Sequence, residues 1–242
     1  MSDQVILITN VEHFAGPPAA ATLVSRGETV VCHDKSFKTL DVCKSYIANH
    51  PGRHAVAAQA PAELIDLVTE QFGRIDVLIS NDAFPAIRAS VEDARIDDMR
   101  DGLEDMVVTP FALAGAVVPQ MKSRRSGKLL FLTSAAPFHG LPNYTMYVTA
   151  RGATNSMVVS LAKELGPHNI QVNAIAPNYV ESPDYFPETL RQDEEAMAKI
   201  TRNIPLRRLG KPEEMGALIA FYASGDSDFI TGNVMPFAGG WA

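Results

Sequence analysis

Lys128-Leu-Leu-Phe-Leu-Thr133-Ser134 sets four apolar residues in a row ahead of two hydroxyls. A strand with one wet face alternates apolar and polar residues. A continuously apolar one is buried on both faces, as in a parallel sheet covered by helices. Val5-Ile-Leu-Ile8 and Val77-Leu-Ile79 carry the same pattern. Longer amphipathic segments separate these runs, and that alternation predicts an α/β fold with a doubly wound, mainly parallel sheet. Strands are expected at 5–9, 29–33, 54–58, 75–80, 128–133 and 170–175, with a last one near 233–237. Helices are expected over 19–26, 40–49, 62–72, 99–122, 147–165 and 213–223. A Pro-marked stretch between Pro177 and Pro205 leads to a further short helix and reads as a binding lid. No repeat, linker or low-complexity segment divides the chain, so residues 1–242 read as a single domain.

The 242 residues suffice for a sizeable core, and 46% hydrophobic with 20% charged residues is ordinary for a globular protein. A net charge of -7, with no basic run beyond Lys122-Ser-Arg-Arg125, argues against nucleic acid as a partner. Cys32 and Cys43 suit a reducing compartment and form no pair at metal-ligand spacing. His13, His33, His50, His54, His139 and His168 show no metal spacing either, so no metal is expected. Met1-Ser-Asp-Gln leads straight into Val5 without a signal peptide, and no stretch reads as long enough to cross a membrane. A cytoplasmic enzyme is the expectation.

Thirteen residues beyond Ser134 stands Tyr147, and four beyond that Arg151. Ser134 falls at the carboxyl end of a predicted strand, where doubly wound sheets place their sites. Tyr147 and Arg151 share one face at the start of a predicted helix. A phenol of ordinary pKa about 10 is a poor base at neutral pH. A guanidinium about 4 Å away, at an effective dielectric near 20, favours the phenolate by on the order of 4 kcal/mol. Ser134 can then hold the substrate oxygen whose proton Tyr147 takes. Chance supplies such a spacing only about 0.03 times in a chain of this composition. Tyr144 is a decoy, since Val148 stands where its cation would be.

Such an acid/base set usually serves a bound dinucleotide, yet the turn that should cradle it has lost its glycines. Thr9-Asn10-Val11-Glu12-His13-Phe14-Ala15-Gly16 keeps only Gly16. Glycines there let backbone N–H groups approach a pyrophosphate. Phe14 puts a ring in that space, and Pro17 and Pro18 remove two donors. Asp34, at the end of the second strand, sits where an acid would take an adenosine ribose; it reads as a remnant or a surface cap.

Almost the whole chain resembles a short-chain dehydrogenase/reductase, a Rossmann-like fold. Gly73-Arg-Ile-Asp-Val-Leu-Ile79, Val118-Pro-Gln-Met121, Gln171-Val-Asn-Ala-Ile-Ala-Pro177, Pro205-Leu-Arg-Arg-Leu-Gly210 and Gly239-Gly240 fall in the family's order. The departures point further. The Asn-Asn-Ala-Gly motif becomes Ser80-Asn81-Asp82-Ala83, the helix asparagine becomes Met106, the active-site lysine Arg151, and Pro-Gly becomes Pro177-Asn178. Together with the broken turn, this combination looks like the halohydrin dehalogenases, cofactor-independent members of that superfamily. The resemblance implies that Tyr147 deprotonates a vicinal haloalcohol bound by Ser134, and that the alkoxide expels halide to give an epoxide, with no cofactor. It implies a halide pocket made by Pro177, Asn178, Tyr179 and Val180, walled by Phe14 and by Tyr185 or Phe186. Asp82 would orient Arg151, and His139 could line the pocket. The family also implies a homotetramer acting on haloalcohols or epoxides with small anions. Two other readings remain open: an NAD(P)-dependent oxidoreductase, favoured by Asp34, and a non-catalytic binding protein on the same fold.

Overall fold

The computed structural model describes residues 4–242; Met1, Ser2 and Asp3, on which the reading of the chain's start partly rests, lie outside them. Among the described residues, one sheet holds β1 (Val5–Ile8), β2 (Thr29–Cys32), β3 (Arg53–Ala55), β4 (Val77–Ser80), β5 (Gly127–Leu132), β6 (Ile170–Pro177) and β7 (Val234–Phe237). The strand order is β3-β2-β1-β4-β5-β6-β7. All pairings are parallel, so the sheet expected to be mainly parallel is wholly so. β1, β4 and β5 are buried at every position, as their unbroken apolar runs require.

Helices α1 (Gly16–Ser25), α2 (Leu40–Asn49), α3 (Pro61–Phe72), α4 (Ile96–Leu103), α5 (Thr109–Arg124), α6 (Ala136–His139), α7 (Thr145–Leu165), α8 (Glu188–Arg191), α9 (Glu194–Thr201) and α10 (Pro212–Ala223) complete the chain. Successive strand side chains point to opposite faces. Ile6 and Ile8 therefore meet α1, α2 and α10 in one core, while Val5 and Leu7 meet α3, α5 and α7 in the other. From β1 the chain winds first one way through the sheet, then from β4 the other way. The crevice beyond the carboxyl ends at that reversal is where ligands bind in open α/β sheets.

The helix expected over 99–122 is interrupted. Between α4 and α5 lies a π-helical stretch, Glu104–Val108. Pro110 has no N–H to give the carbonyl four residues back, which belongs to Met106. The hydroxyl of Thr154 on α7 donates to that carbonyl instead, at 2.6 Å. The freed acceptor thus ties the π-helical stretch to α7 one turn from Arg151. Ile96–Arg124 as a whole is long and apolar enough to cross a bilayer, which corrects the expectation that no stretch is. Leu113, Ala114, Val117 and Met121 within it belong to the core beneath the sheet.

Candidate active site

Ser134 is held by the continuation of the β5–β6 ladder. Thr133 N–H donates to Ile175 at 2.9 Å and Ala135 N–H to Pro177 at 3.1 Å. The Ser134 Oγ accepts the Ala136 N–H at 3.0 Å, where α6 begins. With an acceptor lone pair so used, its hydroxyl proton stays available to an oxygen in the crevice. Tyr147 lies in the first turn of α7, where the helix dipole favours negative charge. Arg151, one turn on, is only 5% exposed, and its Cζ sits 5.5 Å from the centroid of the Tyr147 ring.

The guanidinium is oriented by neutral groups. Arg151 Nη1 donates to the main-chain carbonyls of Asp82 (3.1 Å) and Leu132 (3.0 Å). Asp82 therefore positions Arg151 through its backbone, whereas its carboxyl faces elsewhere and accepts the hydroxyls of Ser80 (2.7 Å) and Thr9 (2.8 Å). Burial pushes the Asp82 pKa above the ordinary range, with those two hydrogen bonds opposing it. Among the described residues Arg151 makes no ion pair, and its hydrogen-bond partners are these two main-chain carbonyls.

Across the crevice, Phe14 adopts φ 45° and its N–H donates to Asp184 Oδ2 at 2.8 Å. Its ring meets Tyr185 edge to face, centroids 5.3 Å apart. Tyr185 keeps 38% of its surface exposed, yet desolvation raises its phenol to about 12, Tyr147 adding to the shift and Arg151 opposing it. His13, beside Phe14, is held below its ordinary pKa chiefly by burial, against the attraction of Asp184. Tyr179 is a second bulky residue at positive φ, 56°. In the Pro177–Val180 loop, Asn178 N–H donates to Phe237 (3.1 Å) and Tyr179 N–H to Asn178 Oδ1 (2.9 Å). Two N–H groups expected to face an anion are thereby committed within the protein. Among the described residues only the Val180 N–H of this loop is left for that task.

Ser134, Tyr147, Arg151, Phe14, Pro177, Asn178, Tyr179, Val180, Tyr185 and Phe186 all line one cavity of about 290 Å³. Of the site residues singled out in the sequence, Asp82 and His139 do not touch it, and Asp82 acts from behind Arg151. Ala86, Leu141 and Tyr144 also line it. Tyr144 had been set aside on its spacing from a cation, a criterion for a base that says nothing about a wall. His139 does not line the cavity; it stacks on Trp241, centroids 4.3 Å apart.

The residues present do not fit a nicotinamide dinucleotide. Both Asp34 oxygens are taken by main-chain N–H groups, from Glu12 (3.0 Å) and Ser36 (2.9 Å), which makes this acid a turn cap. The retained Gly16 serves packing, since a Cβ there would lie 2.3 Å from the Val11 carbonyl oxygen. A separate cavity of about 280 Å³ at the ends of β1 to β3, bordered by Thr9, His33, Lys35 and Asp82, shares no lining residue with the first.

Residues 16–242 match the family model described as Enoyl-(Acyl carrier protein) reductase. The chain is 30% identical, over 99% of its length and 98% of the relative's, to a 3-oxoacyl-acyl-carrier-protein reductase of Thermotoga maritima. A solved structure named as a dehalogenation enzyme is 52% identical, with a TM-score of 0.95 over 99% of this chain and 98% of that one. Another, a halohydrin dehalogenase bound to ethyl (2S)-oxiran-2-ylacetate, is 41% identical, with a TM-score of 0.94 over 98% and 96%. The reductase and dehalogenase likenesses share one architecture, and the altered turn, Arg151 and the Pro177–Val180 loop side with the second. The chain belongs to the short-chain dehydrogenase/reductase family and, within it, to the halohydrin dehalogenases.

Proposed function

We propose that this protein converts vicinal haloalcohols to epoxides without a cofactor, releasing halide and a proton, and catalyses the reverse opening of epoxides by small anions. Ser134 donates a hydrogen bond to the substrate oxygen, and Tyr147 removes its proton. The resulting alkoxide attacks the neighbouring carbon, a carbon–oxygen bond forms as the carbon–halogen bond breaks, and the halide departs with the electron pair. Tyr147 then gives its proton to solvent, which restores the base.

The observation that carries this reading is the uncompensated Arg151 cation beneath the Tyr147 ring, in a cavity whose opposite wall is aromatic. A cation held by carbonyls alone keeps its field for the phenolate that must form. Ring edges, being electropositive, suit a weakly hydrated anion without a full countercharge, and the Val180 N–H adds a donor. A leaving halide is stabilised most by a pocket already in place. The reductase relatives favour an NAD(P)-dependent reaction, but the capped Asp34 and Phe14 in the altered turn oppose it. The same reading takes the enzyme as cytoplasmic and homotetrameric.

Purified protein given a small haloalcohol in weak buffer, with no nucleotide, is expected to release halide and acid in equal amounts. Turnover that begins only on adding NAD or NADP would refute the proposal.

A further inference from the structure

We propose that Trp241 is a positioning residue that sets how tightly the Pro177–Val180 wall holds an anion, acting through Tyr179. The inference rests on reading that wall as the anion side of the cavity. Tyr179 is bulky and sits at φ 56°, a region such a residue occupies only where its surroundings hold it there. Its backbone is fixed on both sides, the N–H by Asn178 Oδ1 and the carbonyl by the Gly210 N–H at 2.9 Å. Its ring is less constrained. Phe186 lies tilted at 6.3 Å between centroids, and Trp241 meets it edge to face at 5.6 Å and 79°.

Behind Tyr179 there is room. A second cavity of about 260 Å³, with Ile204, Leu206, Pro236 and Phe237 in its lining, also borders Asn178 and Tyr179. These two residues are thus the partition between two voids. A ring with free volume behind it withdraws unless something holds it, and the edge-to-face contact with Trp241, which lines neither cavity, is such a hold. Trp241 is not loosely delivered. Its N–H closes a turn onto Ala238 at 3.1 Å, through Gly239 and Gly240 at φ 60° and 88°. A Cβ on Gly239 would come within 2.7 Å of Ile204, so the turn fits against the floor of the second cavity. On its other side Trp241 packs on His139 of α6, the helix whose start engages Ser134. One indole therefore links the rim of the hydroxyl side to the wall of the anion side.

Removing the indole is expected to weaken anion binding and spare the epoxide end of the site. An edge-to-face aromatic contact is worth a change of roughly threefold to tenfold in an equilibrium. Line broadening of the chloride-35 resonance, titrated back with bromide, measures anion binding without turnover. Trp241→Ala should raise the bromide dissociation constant about threefold to tenfold, and Trp241→Phe should recover most of it. In azide-driven ring opening, Trp241→Ala should raise the KM for azide by the same factor, with the KM for epoxide moving less than about twofold. If the two KM values rise together, or bromide binding is unchanged in Trp241→Ala, the positioning role is refuted while the dehalogenase reading stands. A parental protein that does not broaden the line has no anion pocket, which overturns that reading and this inference together.

Discussion

At the scale of single residues, the proposed mechanism gives Tyr147 the proton and leaves Arg151 only to tune it, with no ribose to hold. The guanidinium is anchored by two carbonyls, so the tyrosine loses none of its field to a neighbouring carboxylate. Tyr147→Phe removes the proton acceptor and little else. Halide release should fall by about 10²-fold or more, with the unfolding midpoint nearly unchanged. Activity surviving within tenfold would remove Tyr147 from the mechanism. Asp82 makes a different prediction, about stability. Its carboxyl binds a proton more readily in the folded protein than in the unfolded chain, because burial raises its pKa. Its contribution is therefore full below the ordinary carboxylate range and declines as pH rises through the folded pKa. Asp82→Asn cannot ionise, so its stability relative to the parent should improve between pH 4 and pH 8. Urea midpoints at the two values check this, and a difference that stays constant or moves the other way contradicts it.

At the scale of elements, the central strands were legible because burial on both faces writes itself as unbroken apolar runs, and β5 and β6 differ from expectation only at their ends. The edge strand β3, half exposed, covers Arg53–Ala55 and not the expected 54–58. α2 matches its expected span. The π-helical stretch and α6 were not legible. The first follows from Pro110 and a hydroxyl on a distant helix, and the second is a single turn too short to show a period. The Pro177–Val180 loop was legible in identity but not in bonding. That Asn178 would spend its own amide oxygen on the next N–H is set by the positive φ of Tyr179, which no pattern announces. In the proposed reaction this loop is nevertheless the element on which anion chemistry depends. In the proposal, dehalogenation and ring opening are one reaction in two directions and share this wall. Asn178→Phe should lower bromide release and azide-dependent ring opening together, by at least about tenfold each. A variant that loses the first and keeps the second would show that the two anions bind in different places.

At the scale of the whole molecule, contacts between distant segments were beyond reach of the sequence. Nothing in Phe14 or Asp184 advertises that the N–H of one meets the carboxylate of the other across 170 positions. The tetramer that the family resemblance implies has two sets of exposed apolar side chains to draw on. Val108 and Phe111, three apart along the π stretch and α5, are 48% and 56% exposed, with Val159 of α7 at 40%. Phe221 of α10, Phe229 beyond it and Met235 on the edge strand β7 form the other set, Phe229 being fully exposed. α5 and α7 cover one face of the sheet while α10 covers the opposite face. If each set pairs with its own copy about a two-fold axis, the result is a tetramer rather than a dimer or a fibre. The chain is therefore expected to be tetrameric at micromolar concentration by light scattering. Phe111→Asp and Phe229→Asp, made separately, should each leave a dimer joined through the undisturbed patch, and the double variant a monomer. A parent that scatters as a monomer would refute the assembly. A single variant that falls straight to monomer would show that one patch, not two, holds it together.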